Sequence, residues 1–297
     1  MRQVFLLVVL ATVFAPAPRA AAQGFEGVIR QRSIMVDGDA LYEILYTLEG
    51  EEMDEEDEFD EEQYLRAEVD RILDFSVDEL LSMAKAGLEI EVEETSMHMK
   101  GAKARTDAGP FGYFIMDADE ETLWMVNAEG SVFVKWTQAD VKAAEERTRE
   151  MMANLGIDPA DIERAEPEAS DAATLEPLSR TARVNGFEAT GYRAESRDKV
   201  TVAWLVEDVH GLGVALNALA KRMEVLSGDA EVDPGSIGNL LWSKGLPVRI
   251  QSVGTSFGRL SRYEITDFLS VEPTSVADDL FEIPAGFREV SLEDLWR

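Results

Sequence analysis

The residues with the most recognisable chemical spacing are Gly254, Ser256 and Gly258, which match the G-x-S-x-G pattern of a serine nucleophile elbow. That chemistry requires a strand, a sharp turn and a helix around the serine, with a histidine later in the chain. Both histidines, His98 and His210, precede Ser256, and the residues on either side of it favour two strands. We therefore interpret the motif as a β-hairpin turn, which makes a hydrolase the least favoured of three possible functions.

Carboxylates are the most numerous of the other reactive groups. The chain has 297 residues, with 59 Asp plus Glu, 2 His and no Cys. The absence of cysteine excludes disulfides, thiolate metal sites and cysteine catalysis, and two histidines leave few ligands for zinc. The acidic stretch at residues 49–62 and the shorter one at 117–121 both lack the glycine of a calcium-binding loop. We predict no metal and no cofactor, while a glycosidase-like carboxylate pair stays open because nothing distinguishes one pair.

The net charge of −31 restricts the classes of partner. A strongly acidic surface repels nucleic acid and anionic lipid headgroups, so we predict neither as a partner. The acids are spread over the whole chain, and 20 Arg stand against only 8 Lys. This composition resembles adaptation to a saline environment, in which carboxylates keep a protein hydrated, so the charge bears on solubility rather than on fold.

The N-terminus has the layout of a secretory signal peptide. Arg2 precedes an apolar run at residues 4–15, and Ala20 and Ala22 supply an A-x-A cleavage site. We predict that residues 1–22 are removed and that residues 23–297 form one domain in the periplasm or outside the cell, without a lipidated cysteine. No later stretch reaches about 20 apolar residues, so we do not expect an integral membrane protein.

Alternating and helical hydrophobic patterns predict about ten or eleven short strands interspersed with helices. Tight turns between the strands favour a mainly antiparallel sheet and an α+β fold. The predicted strands are residues 25–34, 41–48, 88–100, 111–116, 122–127, 131–136, 180–184, 189–196, 200–206, 248–256 and 259–271, with an extended segment at 278–290. The first two are predicted to form an N-terminal hairpin, and the predicted helices are residues 64–75, 77–86, 139–155 and 210–226.

Three segments resemble a family of exported bacterial proteins called domain-of-unknown-function family 4412. MKGAKARTD at residues 99–107, leading into 114–135, is similar to the family's K-G-x-K-x-R stretch and the strands after it. VNGFEATGYRAES at residues 184–196 is similar to its G-y-x-a-x-x-Y hairpin. LFEIPAGFREV at residues 280–290 resembles the F-x-x-P-x-G-[FY] ending that the family shares with the outer-membrane lipoprotein carrier (LolA/LolB-like) superfamily.

The resemblance implies a strongly curved antiparallel sheet, an open half-barrel, with helices packed on its concave side. It also implies a cavity for acyl chains between the sheet and the helices. Residues 49–87, with the acidic stretch and two helices, depart from the pattern as an insertion. The family has no catalytic residues that could be carried over to this chain.

Flexible methionines and broad aromatic side chains suit an adaptable apolar cavity, although they also fill ordinary cores. We therefore expect a non-enzymatic exported protein that binds an apolar small molecule or a lipid, including the acyl chain of a lipoprotein. The alternative is an envelope structural or interaction protein with a filled core and no ligand. The candidate ligand-binding residues are Met116, Trp124, Met125, Phe133, Trp136, Trp204, Leu216, Leu219 and Met223.

Overall fold

The computed structural model describes residues 24–49, 61–109, 112–155, 174–196, 198–223, 226, 241–256 and 258–295. Within these ranges the chain has an α+β fold in which twelve strands form one mixed sheet that does not close on itself. The predicted signal peptide and most of the acidic stretch lie outside the described residues. None of the helices in the described part is long and apolar enough to cross a membrane.

The strands and helices are numbered here in chain order. The strands are β1 (Glu26–Asp37), β2 (Ile90–Lys100), β3 (Lys103–Asp107), β4 (Tyr113–Asp117), β5 (Thr122–Asn127), β6 (Val132–Thr137), β7 (Thr174–Val184), β8 (Phe187–Ser196), β9 (Lys199–Val206), β10 (Leu246–Ser256), β11 (Arg259–Pro273) and β12 (Arg288–Glu289). The helices are α1 (Gly38–Glu49), α2 (Glu61–Leu73), α3 (Val77–Lys85), α4 (Gln138–Asn154) and α5 (Leu212–Met223).

Strand β1 lies near the middle of the sheet and separates two wings. The strand order is β12-β6-β5-β4-β3-β2-β1-β11-β10-β9-β8-β7. Neighbouring strands are antiparallel, as predicted, except that β12 pairs in parallel with β6. Consecutive hairpins therefore build a β2–β6 wing on one side of β1 and a β7–β11 wing on the other.

Residues 41–48 form most of a helix, so the predicted N-terminal hairpin is wrong. Leu41, Ile44 and Leu45 are buried, and their spacing places them on one side of α1, whereas a strand would point them to both faces. Gly38 allows the sharp entry into this helix, because a Cβ there would lie 2.5 Å from a backbone oxygen of β11. The tyrosines and isoleucine that favoured a strand are overridden by packing against β11.

Strand β3 was not predicted from the sequence. It follows β2 after a tight turn in which Gly101 has a φ of 59°, a conformation that glycine adopts without strain. Its buried side carries Ala104 and Thr106, with Ala108 directly after the strand, and so has no large apolar residue. The hydrophobic pattern is for this reason too weak to mark β3 as a strand.

One hairpin turn and one helix start have a direct local explanation in the sequence. Asn185 and Gly186 both have positive φ, 48° and 92°, as a two-residue hairpin turn between β7 and β8 requires. The Ser76 hydroxyl accepts a hydrogen bond from the Glu79 N–H, and the Glu79 carboxylate accepts one from the Ser76 N–H at 2.8 Å. This capping box starts α3 where the sequence predicted it.

Two predicted apolar faces are less buried than their patterns indicated. Helix α4, predicted at residues 139–155, is buried mainly at its first turn, since Val141 is buried while Met151 is 58% exposed and Leu155, directly after the helix, is 67% exposed. On β2, Val92 is 40% exposed, and burial begins at Met97. Amphipathic spacing alone does not say whether a partner surface extends along the whole element.

The first large core lies between the β7–β11 wing and the helices α1, α2 and α3. We call it the scaffold cluster, and its buried residues are Ile34, Val36, Ala40, Leu41, Ile44, Leu45, Val69, Ile72, Leu73, Val77, Leu80, Val184, Ala189, Val202, Trp204, Val248, Val253, Leu260, Tyr263 and Ile265. Ile29 of β1 is also buried but packs with α5 instead. Because side chains alternate along a strand, Ile29 and Ile34 point to opposite sides of β1. Helix α5 packs on the side of Ile29, and helices α1, α2 and α3 pack on the side of Ile34.

Candidate apolar binding site

The register of the β2–β6 wing places four methionines on one side of the sheet, and α5 adds a fifth. Two rows of paired residues cross the five strands on the same side of the sheet. The first row is Met97, Thr106, Phe114, Met125 and Val134, and the second is Met99, Ala104, Met116, Leu123 and Trp136. We call these two rows, together with the α5 residues Leu212, Ala215, Leu216, Leu219 and Met223, the methionine cluster.

Helix α5 packs along this cluster because of its apolar stripe and the way its first turn is held. Leu212, Leu216 and Leu219 are buried, and half-buried Met223 contacts residues of both rows. The Asp208 carboxylate accepts hydrogen bonds from the N–H groups of Val209 and Gly213, at 2.7 and 2.8 Å, and so caps the start of the helix.

The other end of α5 is tied to the turn between β4 and β5. There Arg222 forms an ion pair with Asp119, which lies in that turn. Both ends of the helix are therefore held by polar contacts, while its apolar stripe packs against the sheet.

The structure brings six of the nine predicted ligand-binding residues into this one cluster. These six are Met116, Met125, Trp136, Leu216, Leu219 and Met223. Strand alternation places Trp124 and Phe133 on the opposite side of the sheet, in a separate cluster with Tyr113. Trp204 belongs to the scaffold cluster, where the Arg180 guanidinium lies 5.4 Å from its ring centroid.

The candidate ligand-binding residues chosen from the sequence did not include the residues that β2 and β3 contribute to the cluster. Met97 and Met99 are buried on β2, and Ala104 and Thr106 are buried beside them on β3. The only sequence signal for the β3 residues is their alternation with charged neighbours, as in Lys103 and Arg105 around Ala104. That signal is visible only once β3 is known to be a strand.

Thr106 is the only hydroxyl-bearing residue in the two rows. The residue is 1% exposed, and its Oγ1 atom has no hydrogen-bond partner among the described residues. Other buried threonine hydroxyls in the described chain are paired: Thr122 Oγ1 donates to the Glu120 carbonyl oxygen at 2.9 Å, and Thr201 Oγ1 lies 2.9 Å from Ser252 Oγ. The methionine cluster thus carries one hydroxyl, and that hydroxyl is unsatisfied within the described residues.

The opposite side of the β2–β6 wing is covered by the C-terminal residues 274–289, which we call the C-terminal strap. Lys100 Nζ donates to the Val276 carbonyl oxygen at 3.0 Å and lies 2.8 Å from Asp278. This contact lowers the pKa of Asp278 and raises that of Lys100. Arg105 donates to the Leu280 carbonyl oxygen at 3.3 Å. The K-G-x-K-x-R stretch and the C-terminal motif are therefore joined directly to each other.

Under the strap lies the cluster that holds Trp124 and Phe133. Tyr113 is buried there, and its burial raises the pKa of its phenol. The Arg105 guanidinium stacks 3.7 Å from the Tyr113 ring centroid, and Lys135 lies 5.8 Å from the ring centroid of Trp124. Cations stacked on aromatic faces characterise this side of the wing, in contrast to the methionine cluster.

The motif at residues 254–258 lies where β10 turns into β11, as the hairpin interpretation predicted. Ser256 is an exposed residue at the end of β10, and Gly258 has a φ of 74°. His98 is on β2, with its Nε2 atom 3.6 Å from an Asp107 carboxylate oxygen. The described residues contain no group of three or more His, Asp or Glu side chains placed to hold a metal ion.

The comparisons with known proteins identify no family for this chain. No protein-family model matches the chain, and no curated protein matches it. Among solved structures, the one titled "Structure of PNGF-II in C2 space group" is similar with a TM-score of 0.32 and 9% sequence identity. The match covers 91% of this chain and 33% of that one, so the chain spans about a third of the matched protein's length. A likeness at this level carries no argument about fold or function.

Proposed function

We propose that this protein is an exported, non-enzymatic binding protein that holds an apolar ligand, a lipid or an acyl chain, in the methionine cluster. The observation that carries the proposal is the convergence of five methionines from three strands and α5 on one region. Methionine has three rotatable bonds and a polarizable sulfur, so such a lining can adapt to flexible hydrocarbon. Burial of apolar surface, at about 25 cal/mol per Å², would drive the binding.

We propose further that the sheet is strongly curved in its β7–β11 wing, as the resemblance to lipoprotein carriers implies. The Asn185 side chain, at the β7–β8 turn, donates to the Phe268 carbonyl oxygen of β11 at 3.0 Å. Strand β11 is three strand spacings from β8, about 14 Å in a flat sheet. Val184 and Phe187, which flank the turn, pack in the scaffold cluster, so the helices α1–α3 would lie inside the bend.

Native mass spectrometry of the mature protein after gentle purification tests the proposed function directly. We expect a population whose mass exceeds that of the chain by one lipid, or uptake of an added lipid. A protein that neither carries nor takes up lipid contradicts the proposal.

A pair of methionine variants locates the site. Met116→Trp adds bulk to the methionine cluster, whereas Met83→Trp makes the same change at a half-buried residue that packs against the scaffold cluster. We expect Met116→Trp to weaken binding of an apolar fluorescent probe about tenfold, equal to about 1.4 kcal/mol, and Met83→Trp to leave it unchanged. Equal losses in the two variants would place the ligand elsewhere.

The second candidate function is a structural or interaction protein of the cell envelope with a filled core. It is favoured by the low exposure of Leu216 and Leu219, each 4%, and of Met125, 6%. On this alternative, Met116→Trp overpacks the core and lowers stability, while the wild-type protein binds no probe.

Export is the remaining part of the proposal. We propose that residues 1–22 direct the chain to the periplasm or the exterior, and that the acidic surface suits a saline environment. The mass of the mature protein, expressed in a bacterium with its leader, should correspond to a chain that begins at Gln23. Loss of solubility in high salt would contradict the second part.

A further inference from the structure

The only hydroxyl of the methionine cluster is placed where a ligand could use it. Thr106 pairs with Met97 on β2 and with Phe114 on β4, both buried, so its side chain shares their side of the sheet. Its Oγ1 atom has no partner in the part of the chain that the structure describes, although the residue is 1% exposed. An unmade hydrogen bond in the interior costs more than a made one contributes, so an apolar residue would suit this position better if nothing bound there.

The sizes of the buried side chains around Thr106 suit a narrow hydrocarbon chain. Along β3 the residues on this side are small, with Ala104 and Ala108 on either side of Thr106. The strands next to β3 carry long side chains there, Met99 on β2 and Met116 on β4 among them. The side chains on this side of β3 are therefore shorter than those of the strands beside it, and the methionines on those strands can change rotamer around a ligand.

The charges around this part of the methionine cluster favour an uncharged ligand group. The cations of β3, Lys103 and Arg105, alternate to the opposite side of the sheet, where they pair with Asp117 at 3.0 Å and with Asp107 at 2.9 Å. The two rows themselves contain no ionisable side chain. A ligand carboxylate beside Thr106 would thus be buried without a counter-ion, whereas an ester or amide carbonyl needs only one hydrogen bond.

We propose that the Thr106 hydroxyl is the polar anchor of this site, and that it donates a hydrogen bond to the carbonyl oxygen of a neutral acyl ester or amide. The hydrocarbon chain of the ligand lies along β3 over Ala104 and Ala108. This inference rests on the proposed function and specifies the ligand class that the same site takes.

The test compares three ligands of equal chain length: methyl decanoate, decanoate and decane. Each competes with an apolar fluorescent probe for the mature protein at neutral pH. We expect the wild type to bind the ester at least tenfold more tightly than the carboxylate. Thr106→Val should lower affinity for the ester about tenfold, a change of about 1.4 kcal/mol, and leave affinity for decane unchanged. Thr106→Ser, which keeps the hydroxyl, should retain ester binding.

Thermal unfolding supplies a second readout and a matched control. Thr106→Val removes an unpartnered hydroxyl, so its melting temperature without ligand should equal or exceed that of the wild type. Thr122→Val removes a hydroxyl that donates to the Glu120 carbonyl oxygen, and its melting temperature should fall. If Thr106→Val does not fold, Thr106→Ala gives the same comparison of ester with decane.

The outcomes separate the anchor from the site. If the wild type binds decane but Thr106→Val binds the ester as the wild type does, the anchor is wrong and the apolar site stands. Equal binding of ester and carboxylate by the wild type also overturns the anchor. If the wild type binds none of the three ligands, both the proposed function and the anchor fail.

Discussion

The scaffold cluster and the methionine cluster differ in composition and in how their polar groups are satisfied. The scaffold cluster is built from Leu, Ile and Val with Tyr263 and Trp204, and none of its buried residues is methionine. Its buried Gln251 side chain donates both to Tyr263 Oη, at 2.9 Å, and to the Leu73 carbonyl oxygen of α2. In the methionine cluster, buried Thr106 has no such partner.

This difference indicates two roles within one sheet. Branched side chains with few rotamers, joined to satisfied polar groups, specify a single packing of the β7–β11 wing and its helices. Methionines can repack at low cost, which suits a region that must change shape around a ligand. The predictions below test this contrast, from the largest expected effect to the smallest.

The largest effect is expected at Asp267, a fully buried carboxylate on β11. It pairs with Arg32 and Arg249, each with a guanidinium nitrogen 3.0 Å from Asp267 Oδ2. Asp267→Asn leaves two partly buried guanidinium groups without a counter-charge, so we expect a loss of about 3–5 kcal/mol in urea unfolding. The control is Asp119→Asn at the exposed pair with Arg222, which should cost less than about 1 kcal/mol. Similar losses in the two variants would contradict the prediction.

Truncation of one core residue in each cluster tests the contrast in packing. Ile72→Ala in the scaffold cluster should cost about 2–5 kcal/mol, because fixed neighbours cannot fill the cavity. Met97→Ala should cost clearly less, since the methionines around it can move into the space. Urea denaturation of both variants measures the difference, and Met97→Leu, which conserves volume, should cost less than about 1.5 kcal/mol. Equal losses of stability in Ile72→Ala and Met97→Ala would show that the two clusters do not differ in how they adapt to a cavity.

Alkaline pH should weaken the scaffold cluster through Tyr263. Burial raises the pKa of Tyr263 from 10.0 to about 12. Because the pKa is raised in the folded state, the stability contributed by the protonated Tyr263 is complete below pH 10 and is lost as the pH rises towards 12. A rise of this size in the pKa corresponds to about 3 kcal/mol of the free energy of unfolding.

Urea unfolding between pH 9 and pH 12 measures this loss, and Tyr263→Phe is the matched variant. It should be less stable than the wild type at neutral pH, by about 1 kcal/mol for the lost hydrogen bond. Its free energy of unfolding should also decline less steeply than that of the wild type as the pH rises. Parallel pH profiles of the two proteins would show that Tyr263 is not the group responsible.

The smallest effect compares two helix caps. Ser76→Ala removes the cap of α3, whose Val77 and Leu80 are buried in the scaffold cluster, and should cost about 1 kcal/mol of global stability. Thr137→Ala removes the contact with the Asp140 carboxylate at the start of α4, most of whose length is exposed. Such a helix frays locally, so the global loss should be under about 0.5 kcal/mol. Amide hydrogen exchange of the two helices distinguishes these outcomes.

Several parts of the fold could be predicted from the sequence because they depend on near neighbours. The turn at Asn185 and Gly186 follows from two residues that tolerate positive φ, and the cap of α3 follows from Ser76 and Glu79 alone. Helix α5 was predicted from the spacing of its leucines, and it packs against the sheet through those residues. The same spacing predicts that Leu216 and Leu219 lie on one side of α5, and both pack in the methionine cluster.

Other features required contacts between distant residues. The alternation of β5 and β6 gave Trp124 and Phe133 as apolar strand residues, but only the sheet shows that they face away from α5. In the same way, residues 41–48 contain β-formers, and packing against β11 makes them a helix.

The sequence by itself determined the α+β class, the turn between β7 and β8, the cap of α3 and the acidic charge, because each arises from residue types within a few positions. Only the tertiary structure decided which strands lie side by side, and therefore which methionines meet. It also decided that the Thr106 hydroxyl has no partner among the residues that the structure describes. Partners across a sheet come from strands that are remote in the chain or joined by turns, and no local pattern records whether a particular atom will find one.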